Sequence, residues 1–170
     1  LWQSLEATGL SRAWISEAAG GGGASLADGF AIARLSGHHA IPVPLTETLL
    51  ASYLLAAAGL DVPAGPMTIA PGYGDAALPA TANGRFSGNV QRLPFAHNAQ
   101  HAVCTVALES GIGLALFDRN AWRVGEVAEV ARDIDADVTF DGVPVAIANE
   151  GDWADALLLM GAALRSQQMA

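Results

Sequence analysis

Apolar positions along the chain change period twice, and the changes divide it into helical, strand-rich and again helical stretches. Leu1, Trp2, Leu5, Leu10, Trp14 and Ile15 read as helix with a break at Gly9. Ser25-Leu26-Ala27-Asp28 has the form of a capping box, with Asp in place of the usual Glu or Gln. It opens a helix through Phe30, Ala33 and Arg34 that ends near Gly37. After Pro42 and Pro44 a further helix runs from about Leu45 through Leu49, Leu50, Tyr53, Leu54 and Ala57, with Gly59 as its left-handed stop and Pro63 beyond. Apolar residues on two of its sides predict deep burial.

From Pro66 the period shortens to that of strands. Met67 to Ala70, Ala80 to Ala82, Arg85 to Ser87, Val90 to Leu93, His101 to Leu108, Leu114 to Phe117, Val124 to Val130 and Val138 to Val145 each read as a strand. Together they suggest a compact β-barrel. Asn83-Gly84 is the strongest hairpin signal, because a type I′ turn needs positive φ at both central residues. Ser110-Gly111-Ile112-Gly113 is expected to join two strands. Asp141-Gly142 is expected to be a tight turn, with Val143-Pro144-Val145 after it as an edge strand, since proline cannot donate to a ladder. The last segment returns to helical spacing, with Trp153, Leu157, Met160 and Leu164 forming an apolar stripe. The chain starts and stops inside helical patterns, so it reads as a piece of something larger whose remainder covers that stripe.

Composition narrows the class. With 170 residues, 52% hydrophobic and 15% charged, and no apolar run long enough to span a bilayer, the chain reads as a soluble globular protein of one or two domains. A net charge of −9, with arginine as the only strongly basic residue type, argues against a nucleic-acid backbone partner, which needs a basic stripe. A single cysteine, Cys104, excludes an internal disulfide, and no signal peptide pattern is present.

Several constellations invite a chemical reading. Gly20 to Gly23 could cradle a phosphate, but no buried strand precedes it and neither G-x-G-x-x-G nor a following Lys-Ser/Thr is present, so a loop between helices is the better reading. His97 and His101 have the spacing of a zinc helix, yet Asn98 stands where a glutamate base belongs and His101 opens a strand, so no metal is expected. His38-His39 reads as a helix end. Cys104 alternates with Ala102 and Val106 and reads as a buried, inert thiol. Asp133, Asp135, Asp137 and Asp141 lack the glycine and terminal glutamate of a calcium loop and read as solvated carboxylates. Arg165-Ser166-Gln167-Gln168 is either an exposed helix face or a patch facing a neighbouring chain.

Several segments resemble the flavin-dependent acyl-CoA dehydrogenases. Trp14-Ile15-Ser16-Glu17 with Gly20 to Gly23 and Ser25 is similar to one such segment, and Ala40-Ile41-Pro42-Val43-Pro44-Leu45-Thr46-Glu47-Thr48 to a more specific one. Phe86-Ser87-Gly88-Asn89-Val90, Leu93-Pro94-Phe95-Ala96, Ala102-Val103 and Asp141-Gly142-Val143-Pro144-Val145 continue the resemblance, which covers essentially the whole chain.

The resemblance implies an α+β architecture: an N-terminal helical domain over residues 1–65, a middle β-barrel domain over 66–150, and over 151–170 the first helix of a C-terminal bundle. It implies α,β-dehydrogenation of an acyl-CoA thioester to a 2-enoyl-CoA with FAD as hydride acceptor. It assigns no catalytic residue here, since neither Glu47 nor Glu109 occupies the family's base position. The flavin-contacting stretches correspond to Met67-Thr68-Ile69-Ala70-Pro71 and Arg92-Leu93-Pro94, which makes Ile69, Ala70, Leu93 and Pro94 the candidate FAD-binding residues, through their backbone. The family's threonine, glutamate and tryptophan are absent from their places in these stretches, and Pro94 has no N–H to give. The implied partners are an acyl-CoA thioester, a like or related subunit and an electron-transfer flavoprotein; the implied location is cytoplasmic. Two alternatives stay open: a subunit of a heteromeric acyl-CoA dehydrogenase that holds no flavin itself, and a stand-alone β-barrel binding module. The dehydrogenase readings expect an exposed apolar seam along Leu157, Met160 and Leu164.

Overall fold

A computed structural model describes residues 1–70, 81–82, 85–108, 111–130, 133–144, 146–148 and 153–169. The helices are α1 (Trp2–Ala7), α2 (Leu26–His38), α3 (Leu45–Ala57) and α4 (Trp153–Met169), and the strands β1 (Met67–Ala70), β2 (Thr81–Ala82), β3 (Arg85–Pro94), β4 (His101–Leu108), β5 (Gly111–Asp118), β6 (Trp122–Val130), β7 (Asp133–Pro144) and β8 (Ala146–Ala148).

Helix boundaries follow local chemistry. Ser25 accepts the Asp28 N–H through its hydroxyl while the Asp28 carboxylate accepts the Ser25 N–H, so the capping box forms with aspartate as its acid. Gly9 (φ 76°) breaks α1 from the short 3-10 turn Leu10–Arg12, and Gly59 (φ 71°) follows the end of α3. Residues 44–52 are all buried, as the two-sided apolar pattern of α3 predicts.

The strands form two open sheets of four, in the orders β1-β4-β5-β8 and β2-β3-β7-β6. This corrects the barrel: among the described residues no pairing links the sheets into a closed ring. The first sheet is sandwiched. Met67 and Val103 pack with Leu50 and Leu54 of the helical layer, while Ala70, Ala102, Cys104 and Phe117 on its other face pack with Phe86, Leu93, Val138 and Phe140 of the second sheet. Burial on both faces explains why β4 is a nearly continuous apolar run, whereas β3 alternates. Phe117 reaches across the sheets to Phe86 and Phe140, each ring centroid 4.7 Å away, which fixes the spacing of the two layers.

Three turn readings need revision or fall outside the described residues. Asp141-Gly142 is not a turn but lies inside β7, where the register shifts between Phe86 and Gly88 of β3. Gly142 has φ 57° there and donates its N–H to the Ser87 hydroxyl at 2.9 Å, a bulge stabilised by a left-handed glycine. Pro144 lies opposite Arg85, beyond Phe140 where β6 last pairs, so the ladder on that side loses nothing. Leu108 pairs with Gly111, so Gly111 to Gly113 belong to β5 and the connection is confined to residues 109–110, outside the described residues. Asn83-Gly84 also lies outside them, between the paired residues Ala82 and Arg85.

The apolar seam expected on α4 is also corrected. Leu164 is only 3% exposed and Met160 packs partly against the same helical core, because α4 lies on α2 and α3. The side chains of Trp153 and Leu157 lie outside the described ones. Gln168 turns inward and donates from Nε2 to the Thr46 hydroxyl, so this part of the polar run faces α3 and not a neighbouring chain.

Candidate functional site

The two candidate flavin stretches, more than twenty residues apart in sequence, meet in space. The Thr68 hydroxyl on β1 donates to the Pro94 carbonyl at the end of β3 at 2.5 Å. That contact joins the two sheets. Ala70 and Leu93 turn their side chains into the core between the sheets, so only their main chain could meet a ligand. Leu93 is paired with Ala136 of β7, and the Pro94 carbonyl is already taken.

Ile69 differs from the other three. Among the described residues β1 has β4 on one side only. The Pro66 carbonyl accepts N–H groups from Gln100 and His101, on the β4 side, at 2.7 and 3.3 Å. Met67 points its N–H the other way, to the Thr48 hydroxyl of α3 at 2.9 Å. Since backbone groups alternate sides along a strand, the N–H and C=O of Ile69 lie on the same side as those of Met67, on the edge of β1 away from β4. Its side chain is half-buried against the helical core.

Strain concentrates beside this seam. Arg92 (φ 54°) and Phe95 (φ 51°) bracket Leu93-Pro94 in the left-handed region that disfavours non-glycine residues. At Arg92 the strand carries an extra residue between Val90 and Leu93, and β6 carries one between Val124 and Val127, both opposite Asp137. The Asp137 carboxylate accepts the Arg92 N–H at 2.9 Å and so satisfies the donor that the bulge removes from the ladder.

The other candidate residues have structural partners. Every N–H of the glycine run goes to a backbone carbonyl: Gly20 to Glu17, Gly21 to Ser16, Gly22 to Arg12 and Gly23 to Ile15, at 2.8–3.1 Å. No donor is left for a phosphate. The run is glycine because Gly20 (φ 77°) and Gly23 (φ 59°) are left-handed and because a Cβ on Gly21 would overlap Ile15. An open groove of about 390 Å³ lies over this loop, lined by Gly20 to Gly22, Leu10, Arg12 and Ile32, and contains none of the four candidate FAD residues.

His101 has Nδ1 3.0 Å from the Asp118 carboxylate and Nε2 3.1 Å from the Ala64 carbonyl, which ties the connection before β1 to the first sheet. Among the described residues no group of three His, Cys, Asp or Glu side chains could hold a metal ion. Cys104 is 1% exposed, and burial pushes its thiol up to about 12, partly offset by a hydrogen bond with the Ala70 backbone. Glu47 is 5% exposed and accepts the Thr46 hydroxyl at 3.1 Å, so it is a packed carboxylate of α3. Glu109 lies outside the described residues.

The residues present fit a flavin in one respect: Ile69 offers an edge N–H and C=O beside a converged, strained second stretch. Sequence reasoning named Ile69 but gave Thr48 and Thr68 no role. Both are buried hydroxyls, and a threonine inside an otherwise apolar buried segment signals that its oxygen has a backbone partner.

No protein-family model and no curated protein matches the chain. Solved structures do. A Tcur3481-Tcur3483 steroid ACAD variant superposes with TM-score 0.76 at 26% identity, over 98% of this chain and 51% of that one. The ChsE4-ChsE5 complex from Mycobacterium tuberculosis gives 0.72 at 16% identity, over 98% and 52%. Butyryl-CoA dehydrogenase from Megasphaera elsdenii gives 0.67 at 12% identity, over 98% and 56%. The resemblance to acyl-CoA dehydrogenases therefore holds at the level of structure: the chain has their fold over almost its whole length. It spans about half the length of the chains it matches. No helix among the described residues is long and apolar enough to cross a membrane.

Proposed function

We propose that this chain forms the N-terminal and middle portion of an acyl-CoA dehydrogenase subunit that oxidises an acyl-CoA thioester to the 2-enoyl-CoA. The observation that carries the reading is the convergence of β1 and the end of β3 through Thr68 and Pro94, with the backbone of Ile69 on the edge of β1 away from β4, where no described strand pairs. Bound FAD would supply the hydride acceptor. The chain's own contribution is to orient: Ile69 gives a donor and an acceptor, Ala70 and Leu93 hold the two stretches in the core, and Thr68 locks them together. The Asp137 carboxylate beside this seam is taken up by the Arg92 N–H, so we place the base that removes the α-proton elsewhere in the assembly. An electron-transfer flavoprotein is the implied oxidant of the reduced enzyme. The test is to mix the full-length protein with a panel of acyl-CoA thioesters and a dye acceptor and to look for the 2-enoyl-CoA by mass spectrometry. No product from straight-chain, branched or steroid side-chain thioesters, with or without a related subunit, would refute the reading.

A second reading is favoured by one feature of the site. Arg92 replaces an aromatic surface, Leu93 is wholly buried and Pro94 has no N–H, so the β3 stretch offers a flavin little. In that case the chain is the half of a two-subunit dehydrogenase that holds no flavin. The names of two of the matched structures, Tcur3481-Tcur3483 and ChsE4-ChsE5, each join two components, in keeping with such an assembly. Purification alone and with a related subunit separates the two readings by whether the lone protein is yellow.

A further inference from the structure

We infer that Thr48 is a positioning residue for the edge of β1 away from β4: its hydroxyl takes the Met67 N–H, as a neighbouring strand would, and so sets where Ile69 presents its backbone. The link to a flavin rests on the reading above, but the geometry does not. Thr48 is buried in the first turns of α3. Its hydroxyl lies 2.6 Å from the Pro44 carbonyl one turn back, accepts the Met67 N–H at 2.9 Å, and stands 3.2 Å from the Met67 carbonyl. The hydroxyl thus accepts the Met67 N–H while its single proton goes chiefly to the nearer Pro44 carbonyl, and it does so on a side where no described strand pairs with Met67.

Two consequences follow for the strand. Met67 is clamped between β4, through its neighbour Pro66, and α3, through Thr48, so the start of β1 cannot slide. Ile69 is the next residue with the same orientation, about 7 Å farther along the strand, and is the first whose edge groups lie beyond the hydroxyl of Thr48. A valine would keep the shape of Thr48 but would leave the Met67 N–H facing an apolar wall. A serine would keep the hydroxyl. The neighbouring residue Thr46 takes the amide of Gln168 from α4, so the start of α3 also receives the helical layer above it. The segment Leu45 to Thr48 therefore joins β1, α3 and α4.

The test compares Thr48→Val and Thr48→Ser in the full-length protein, with Ile15→Val as a control that removes a buried methyl group outside the core cluster that holds Met67. Amide hydrogen exchange is read at Met67 and Ile69, and at Val103 as a marker of global opening. In Thr48→Val, exchange at Met67 should rise at least tenfold relative to Val103 and the Ile69 amide resonance should move; Thr48→Ser should restore both, and Ile15→Val should change neither. Equal protection of Met67 in Thr48→Val and wild type, or loss of protection in Thr48→Ser, overturns the proposal. If Thr48→Val does not fold, the serine variant still decides. FAD titration adds a separate reading: a tenfold weaker Kd in Thr48→Val, rescued by serine, extends the role to the cofactor. A wild type that binds no FAD while Met67 behaves as stated refutes the flavin reading and leaves the positioning role in place.

Discussion

Gly37 of α2 lies directly against the main chain of Gln168 on α4, and a Cβ at Gly37 would overlap the Gln168 carbonyl oxygen. The two helices approach this closely because one of them has no side chain at the crossing. Helix propensity alone would favour alanine there, so contact and propensity oppose each other. Contact should win. Gly37→Ala is expected to destabilise the protein by about 1–3 kcal/mol, since the clash is with backbone that cannot rotate aside. Gly161→Ala, on α4 itself, should do the opposite: among the described residues its Cβ would meet the Leu50 and Ile69 side chains at 3.9 and 4.0 Å, ordinary contact distances. There propensity is unopposed and up to about 1 kcal/mol of stabilisation is expected. Chemical denaturation of the two variants in parallel checks the contrast, and a stable Gly37→Ala protein would show that α4 does not sit on α2 in this way.

Cys104 should be inert toward thiol reagents in the folded protein. Burial holds its thiol pushed up to about 12, so the thiolate is scarce at neutral pH, and the sulfur lies in the closed core between the sheets. Reaction with an aromatic disulfide at pH 8 should be limited by unfolding and should accelerate at the denaturation midpoint. Rapid stoichiometric reaction in native buffer would mean that the two sheets separate readily.

Acid should weaken the start of α2. The hydrogen bonds to Asp28 from the Ser25 hydroxyl and backbone hold its carboxyl below the ordinary value of 3.8. Because the folded value is the lower one, the cap's stabilisation is complete above about pH 3.8 and is lost as pH falls through the folded value. In Asp28→Asn that part of the acid dependence should vanish. Carbon-detected NMR titration of the Asp28 carboxyl gives the direct check, and an ordinary or raised midpoint would contradict the capping geometry.

Phosphate should leave the glycine loop unmoved. All four glycine N–H groups already donate to carbonyls, so adding inorganic phosphate or pyrophosphate is expected to shift none of the Gly20 to Gly23 amide resonances. Gly20→Ala, by contrast, should cost about 1–2 kcal/mol from its left-handed φ of 77° alone, because the space above it is open. A saturable phosphate shift would restore the cradle reading.

Local signals in the sequence carried the elements well where the chemistry was itself local. The Ser25–Asp28 box, the stop at Gly59 and the limits of β4 are decided by residues a few positions apart, and each is found where the pattern puts it. Sheet closure is not local. A set of short strands is equally compatible with a barrel or with two stacked sheets, and what separates them here is the two-sided burial of β1, β4 and β5, visible only once helices cover one face. Gly142 shows the same limit: Asp-Gly between apolar residues reads as a turn, while its partner across the ladder, Ser87, makes it a bulge. At the candidate site the four backbone positions come from family resemblance, and what the structure adds is that their two stretches meet through Thr68 and Pro94. Thr48 and Thr68 were not, because the value of each hydroxyl depends on a main-chain group 19 or 26 residues away.

The most direct test of the account is the visible spectrum of the full-length protein titrated with FAD, alone and with a related subunit. Saturable binding is expected, with the flavin absorption bands sharpened and shifted on binding, and weaker binding in Thr48→Val. A spectrum that stays that of free FAD at every protein concentration, with and without the second subunit, would contradict it.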